Sequence, residues 1–188
     1  MKSETKNSRI DWLNFAFEVL VKKGPEHLKI IPLCELKGVT KGSFYHHFKN
    51  RKVFIDSLME HWYQTTTQGF IDQVNPDAPA LQRLKALDQI IAKNNVEAEH
   101  HIRAWALKEP TIRQHLEKID GQRQEYLAEC YQELGLSQQQ AKEVALIAYS
   151  SFLGMAQIRP TPTADELGRM MLMILTAFIP NLSNGIDL

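Results

Sequence analysis

Apolar residues recur along this 188-residue chain at spacings of three and four, and no long stretch alternates apolar with polar. That period belongs to helices packed on one side, and it predicts an all-α chain of about nine helices. The first covers about residues 8–23. Ile10, Leu13, Phe17, Leu20 and Val21 line one face, Ser8 with Asp11 forms an N-terminal cap, and Gly24-Pro25 stops it. A short helix over 32–37 places Pro32 in its first turn, where the missing N–H costs nothing. A third follows Thr40. A longer one runs from about Arg51 to Phe70, with Phe54, Ile55, Leu58 and Trp62 on one side. Asn75-Pro76-Asp77-Ala78-Pro79 is the clearest break. Beyond it, helices are expected near 80–93, 95–107, 111–134, 137–157 and 164–179. Their punctuation is Pro110, Gly135 with Ser137 as the next cap, and Arg159-Pro160-Thr161-Pro162.

Composition narrows the class. An apolar share of 44% and a charged share of 23% suit a globular chain of one domain or two small ones, and argue against disorder or a coiled-coil rod. Cys34 and Cys130 are far apart with no Cys-x-x-Cys spacing, so neither a disulfide framework nor a zinc knuckle is indicated. The N-terminal residues lack the apolar run of a signal peptide, and the most apolar window, Met170–Ile179, is about half the length of a membrane span. The expectation is a soluble, cytoplasmic protein with no membrane partner. Lysine and arginine total 22 against 22 acidic residues. That zero hides a polarity: residues 1–52 carry 11 basic and 5 acidic side chains, an excess of six positive charges, and the remainder carries the opposite excess.

The basic end also holds the informative segment, Leu28–Lys52. Two short helices flank Lys37-Gly38-Val39-Thr40, where Gly38 suits the left-handed position that ends a helix, Thr40 can cap the next, and Val39 packs between them. A three- to four-residue turn containing Gly is the helix–turn–helix arrangement. Its second helix exposes Thr40, Lys41, Ser43, Tyr45 and His46, while Phe44 and Phe48, four apart, face inward. Gly42 weakens that helix by about 1 kcal/mol relative to Ala, and close approach to a sugar–phosphate edge would be its return. Arg51 and Lys52 open a helix, where the dipole disfavours cations by about 0.3–1 kcal/mol each, a penalty that a bound anion would remove. Two solvated charges are the plainer alternative. With Lys49 beside them, the phosphate reading is the better one.

Gly38-Val39-Thr40-Lys41-Gly42-Ser43-Phe44-Tyr45-His46-His47-Phe48-Lys49-Asn50-Arg51 resembles the DNA-binding signature of TetR-family transcriptional regulators. The resemblance extends over about residues 8–62. It implies a helix–turn–helix DNA-binding domain, here 1–52, an all-α effector-binding and dimerisation domain, here 53–188, and a homodimer. Fainter echoes follow in Ile102-Arg103-Ala104-Trp105-Ala106, in Asp120 with Arg123, and in Glu133-Leu134-Gly135-Leu136. Carried over by position, it places Lys41, Ser43 and His46 at base edges. Thr40, Tyr45, His47 and Arg51 fall where phosphates are gripped, with Gly42 close to the backbone and Lys49 a neighbouring contact. Ile30 and Ile31 depart from the pattern, standing where relatives often place a polar group at the start of the second helix.

The resemblance also implies that the helices near 137–157 and 164–179 pair with their twins, setting two recognition helices on a palindromic double-stranded operator. Their apolar stripes are Ala141, Val144, Ala145, Ala148, Phe152 and Met155, and Leu167, Met170, Met171, Ile174, Leu175 and Phe178. Taken alone, such stripes read as core before interface. For a small-molecule effector the candidate lining is Trp62, Tyr63, Trp105, Tyr126 and Tyr149. No metal site or cofactor is expected: adjacent His100 and His101 point apart on a helix and His115 is remote. No catalytic set emerges, and the carboxylates, dispersed on helix faces, read as solvated. The expected function is a transcriptional regulator, a repressor released by its effector and not an enzyme. The alternative is a helical enzyme or interaction module whose basic end binds another anionic partner.

Overall fold

In the computed structural model, which describes residues 8–94, 97–159 and 162–179, the architecture is all-α. Helices α1 Arg9–Lys23, α2 Ile30–Lys37, α3 Lys41–His47 and α4 Arg51–Tyr63 are followed by α5 Ala80–Lys93 and α6 Glu97–Ala106. Then come α7 Pro110–Glu133, α8 Gln138–Ile158 and α9 Ala164–Phe178. Residues 1–7, the first two residues of the helix expected at 95–107, and the Pro160-Thr161 pair of the last break lie outside the described residues.

Local chemistry sets most of the boundaries. At α1 the Asp11 N–H donates to the Ser8 hydroxyl over 3.1 Å, and the Ser8 N–H donates to the Asp11 carboxylate over 3.0 Å. The same reciprocal box, Ser137 with Gln140 and Thr163 with Glu166, opens α8 and α9. Gly38 ends α2 at φ 70, ψ 34. Its N–H bonds the Glu35 carbonyl and that of Val39 bonds the Cys34 carbonyl, answering two carbonyls that the helix leaves open. A side chain at that positive φ would be strained.

Two boundaries differ from expectation. Helix α2 starts at Ile30, two residues before Pro32, because the first four N–H groups of any helix lack an internal partner and proline is tolerated throughout that turn. Helix α4 does not run unbroken to Phe70. Residues Gln64–Gln68 form a π-turn, after which Gly69–Ile71 resumes the α geometry. The Thr65 and Thr66 hydroxyls donate to the His61 and Trp62 carbonyls, at 2.9 and 2.8 Å, competing with the backbone for those acceptors.

The chain divides into two compact units, 1–66 with 97–116, and 67–96 with 117–188, a different line from the division at residue 52. In the first, α4 buries Phe54, Ile55, Leu58, Met59 and Trp62, and α6 packs on α1. In the second, Ala80 and Leu84 of α5 meet Ala128, Cys130 and Tyr131 of α7, Ala141, Val144 and Ala145 of α8, and Met171 and Leu175 of α9. Much of the two stripes expected at the dimer interface is therefore core. The large apolar side chains left exposed on α8 and α9 are Leu146, Ile147, Ile158, Met173 and Phe178, of which only Phe178 belongs to those stripes.

Candidate nucleic-acid interface

Helix α3 has only seven residues, too few to hold its shape by backbone bonds alone. An aromatic cluster holds it. Phe44 and Phe48 are completely buried and their rings lie 5.3 Å apart. Phe54 of α4 sits 5.3 and 5.1 Å from them, and Trp12 of α1 stands edge-on to Phe44 at 5.6 Å. Lys37 covers this cluster from outside, its ammonium 5.2 Å from the Trp12 ring and 4.6 Å from Phe15. The spacing of four that buries Phe44 and Phe48 turns the remaining positions outward.

Those positions are the ones the sequence singles out. Thr40, Lys41, Gly42, Tyr45, His46 and Lys49 are exposed, and Ser43 and His47 are half-buried. Tyr45 keeps half of its surface in solvent, and its ring stands edge-on to Phe44 at 5.6 Å. Lys41 and Lys49 have no carboxylate partner among the described residues, whereas Lys22 and Lys52 each pair with an acid one turn away. Thr40 occupies the N-cap position of α3 without making a side-chain cap bond. At Gly42 a Cβ would meet nothing closer than the Thr40 hydroxyl at 3.5 Å, an ordinary contact. The chain itself does not require glycine there. Its helix cost is therefore not an internal packing need.

Arg51 and Lys52 correct the dipole reasoning. The anion that answers Arg51 is Glu109, just before α7, through two parallel bonds of 2.8 and 3.1 Å. The Trp105 indole N–H donates to the same carboxylate over 2.8 Å. Lys52 is answered by Asp56 at 2.7 Å, and Asp56 also bonds His115 of α7 at 3.0 Å. No bound phosphate is needed to explain either cation. The Arg51 guanidinium, aided by Trp105 and opposed by burial, holds the Glu109 carboxyl below its usual range. The contribution of a carboxyl depressed on folding is complete above its unfolded pKa and is lost as pH falls through the folded one. Glu109→Gln is therefore expected to cost about 1 kcal/mol at neutral pH, discounted for the exposed side of the pair. Urea denaturation should show that deficit closing as pH falls below the ordinary carboxylate range. A deficit undiminished in acid would count against an ionic origin.

The five aromatic effector candidates separate. Trp62 and Trp105, both buried, and Tyr63, half-buried, belong to the first unit, while Tyr126 and Tyr149 belong to the second. Trp105 is engaged with Glu109. The Tyr149 hydroxyl donates to Asp120 over 2.7 Å and accepts from Arg123 over 3.0 Å, and Arg123 reaches Thr67 at 2.9 Å. Asp120 and Arg123, a pair three apart in the sequence, thus serve one polar network. The Tyr126 hydroxyl is buried beside the Cys130 thiol. The expectation that the carboxylates are solvated fails at Glu99, which is buried and paired with Arg103 at 2.6 Å, and at Asp88. Asp88 continues the Ala80–Leu84 stripe of α5, and its Oδ2 is buried with no partner. Its position four residues after Leu84 was the available signal.

No family model matches the chain. TtgR, an HTH-type transcriptional regulator of Pseudomonas putida, is 28% identical over 64 residues, 34% of this chain and 30% of that protein. The chain spans less than a third of the length of that relative. Among solved structures, a transcriptional regulator from Rhodococcus sp. Rha1 superposes with a TM-score of 0.74 at 14% identity, over 93% of this chain and 96% of that one. A TetR-family transcriptional regulator from Marinobacter aquaeolei gives 0.68 at 15% identity, over 92% and 90%. The chain has the fold of these proteins, as its helix–turn–helix segment implies.

Proposed function

We propose that the chain is a DNA-binding transcriptional regulator of the TetR type, a homodimeric repressor that a small-molecule effector releases from a palindromic operator. The observation that carries this reading is α3. It is a short helix fixed from behind by Trp12, Phe44, Phe48 and Phe54, presenting Lys41, Ser43, Tyr45 and His46 outward with Lys49 beside them. Lysine without a carboxylate partner, hydroxyls and an aromatic edge are the groups that grip phosphates and read base edges. Thr40, Gly42 and His47 complete the set. Arg51, tied to Glu109, sets the start of α4, and with its charge answered it adds little to the positive potential of this end. Such a protein works as a binder and not as an enzyme, in the cytoplasm where its DNA lies. Among the described residues no helix is long and apolar enough to cross a membrane.

Mobility-shift titration against the DNA flanking its own gene tests the reading. The expected result is sequence-preferring binding that weakens steeply with salt. Binding to no sequence in preference to another would overturn it. Repression is separated from activation by reporter expression in a deletion strain.

The dimer contact falls on the apolar side chains that α8 and α9 leave exposed. Leu146, Ile147, Met173 and Phe178 keep from 42% to 73% of their surface in solvent, a costly arrangement in a monomer. Ser150 and Gly154, exposed between Ile147 and Ile158 on α8, allow close approach of a second helix. Introducing Leu146→Glu with Met173→Glu is expected to convert the dimer to monomer in sedimentation velocity and to abolish operator binding, since a half-site alone holds one recognition helix. A variant that still sediments as a dimer would place the contact elsewhere.

A further inference from the structure

The second unit contains a carboxylate that the fold does not use. Asp88 lies on α5 one turn beyond Leu84 and two turns beyond Ala80, on the face that packs against the core. A carboxylate at such a position normally finds a cation or a pair of N–H donors. Among the described residues Asp88 has neither, and its Oδ2 is buried without a hydrogen bond. The guanidinium of Arg83, on the preceding turns of α5, is occupied by Glu133. From α7 the Tyr131 phenol, almost completely buried, lies near enough to feel the Asp88 charge. Burial without compensation pushes the Asp88 carboxyl up to about 7. The Tyr126 hydroxyl on α7 is a second buried polar atom of this unit, with the Cys130 thiol beside it and the charges of Arg83 and Glu129 within reach. Leu84, one turn before Asp88, belongs to the core of this unit together with Tyr131, Met171 and Leu175.

We propose that Asp88 is the anchor of the effector site and that the effector is an organic cation, a protonated amine carried on an apolar body. An ammonium brings the positive charge and the hydrogen-bond donors that Asp88 lacks, and the body replaces water against apolar side chains. A neutral or anionic ligand would leave the carboxylate unanswered. The inference deepens the regulator reading and rests on it, since it names the ligand class of the effector domain.

The test is calorimetric titration of the full chain, without DNA, with octylamine, 1-octanol and octanoate as probes. Saturable octylamine binding is expected, at least tenfold tighter than that of 1-octanol, with octanoate weaker still. Asp88→Asn, which keeps the side-chain shape, should weaken octylamine at least tenfold and leave 1-octanol unchanged. Circular dichroism of the variant confirms that it folds. Equal affinity for octylamine and 1-octanol, an unaffected Asp88→Asn variant, or no binding of any probe would each overturn the proposal. A parallel operator titration on the same preparation separates the two readings. Operator binding without amine binding overturns this inference alone, whereas amine binding without sequence-preferring DNA binding overturns the regulator and leaves the amine site standing.

Discussion

Replacing Lys41 and Tyr45 together by alanine is expected to lower operator affinity by at least two orders of magnitude while leaving the protein folded. Both side chains are exposed on α3, and neither supports the core. Alanine is the best helix former, so the substitutions do not weaken the helix that carries them. A base-edge contact such as that of Lys41 is worth about 1–3 kcal/mol of discrimination, Tyr45 adds a phosphate contact, and each protomer of a dimer loses both. Even at the low end the losses exceed about 3 kcal/mol, more than a hundredfold. Losing Lys41 should also flatten the dependence of affinity on salt by about one counterion per protomer. Phe44→Ala is the informative control. It empties the centre of the Trp12–Phe48–Phe54 cluster, and a buried Phe→Ala change costs about 3–5 kcal/mol, so it should abolish binding by unfolding the domain. Mobility shift and thermal denaturation run on both variants distinguish lost contacts from lost structure. Operator affinity unchanged in the double variant would favour a basic end that serves another anionic partner.

What the sequence discloses about this molecule depends on how local the responsible chemistry is. The boundaries at Ser8, Gly38, Gly135 and Ser137 rest on residues within five positions of one another, and each is legible without the structure. The inward Phe44 and Phe48 and the outward Lys41, Tyr45 and His46 follow from helical period alone. By contrast, Arg51 meets Glu109 across 58 residues, and no local pattern announces that pair. The apolar stripes of α8 and α9 are visible in the sequence, but which arc is covered by α5 and α7 and which left bare depends on tertiary packing. The π-turn after Tyr63 has a signal in Thr65 and Thr66, whose hydroxyls compete for helix carbonyls. Asp88 is the instructive miss. A charged residue on an apolar face reads as solvated only if the face ends before it, and here the Asp88 Oδ2 is buried one turn beyond Leu84.

At pH 8 the Asp88→Asn variant is expected to be more stable than the parent chain by about 2 kcal/mol, with the advantage fading in acid. The carboxyl is raised on folding, from an ordinary value of 3.8 to about 7. Below the unfolded value both states are protonated and Asp88 costs nothing. Between the two values folding must take up a proton, so stability falls by about 1.4 kcal/mol per pH unit, and above about 7 the full cost of about 4 kcal/mol applies. Among the described residues no charged group packed around it reverses that sign, since Arg83 is held by Glu133, and Tyr126, Cys130 and Tyr131 are uncharged phenols and a thiol. Asparagine removes the charge but leaves its own amide unanswered, which returns about 1–3 kcal/mol of the gain. Urea denaturation at pH 8 and pH 4 reads the difference, and an advantage equally large at both would sink the electrostatic account. A residue whose removal strengthens the fold at neutral pH is retained for something other than the fold. Adding octylamine at pH 8 should then raise the midpoint of the parent chain in proportion to the logarithm of amine concentration, and leave that of Asp88→Asn almost unmoved.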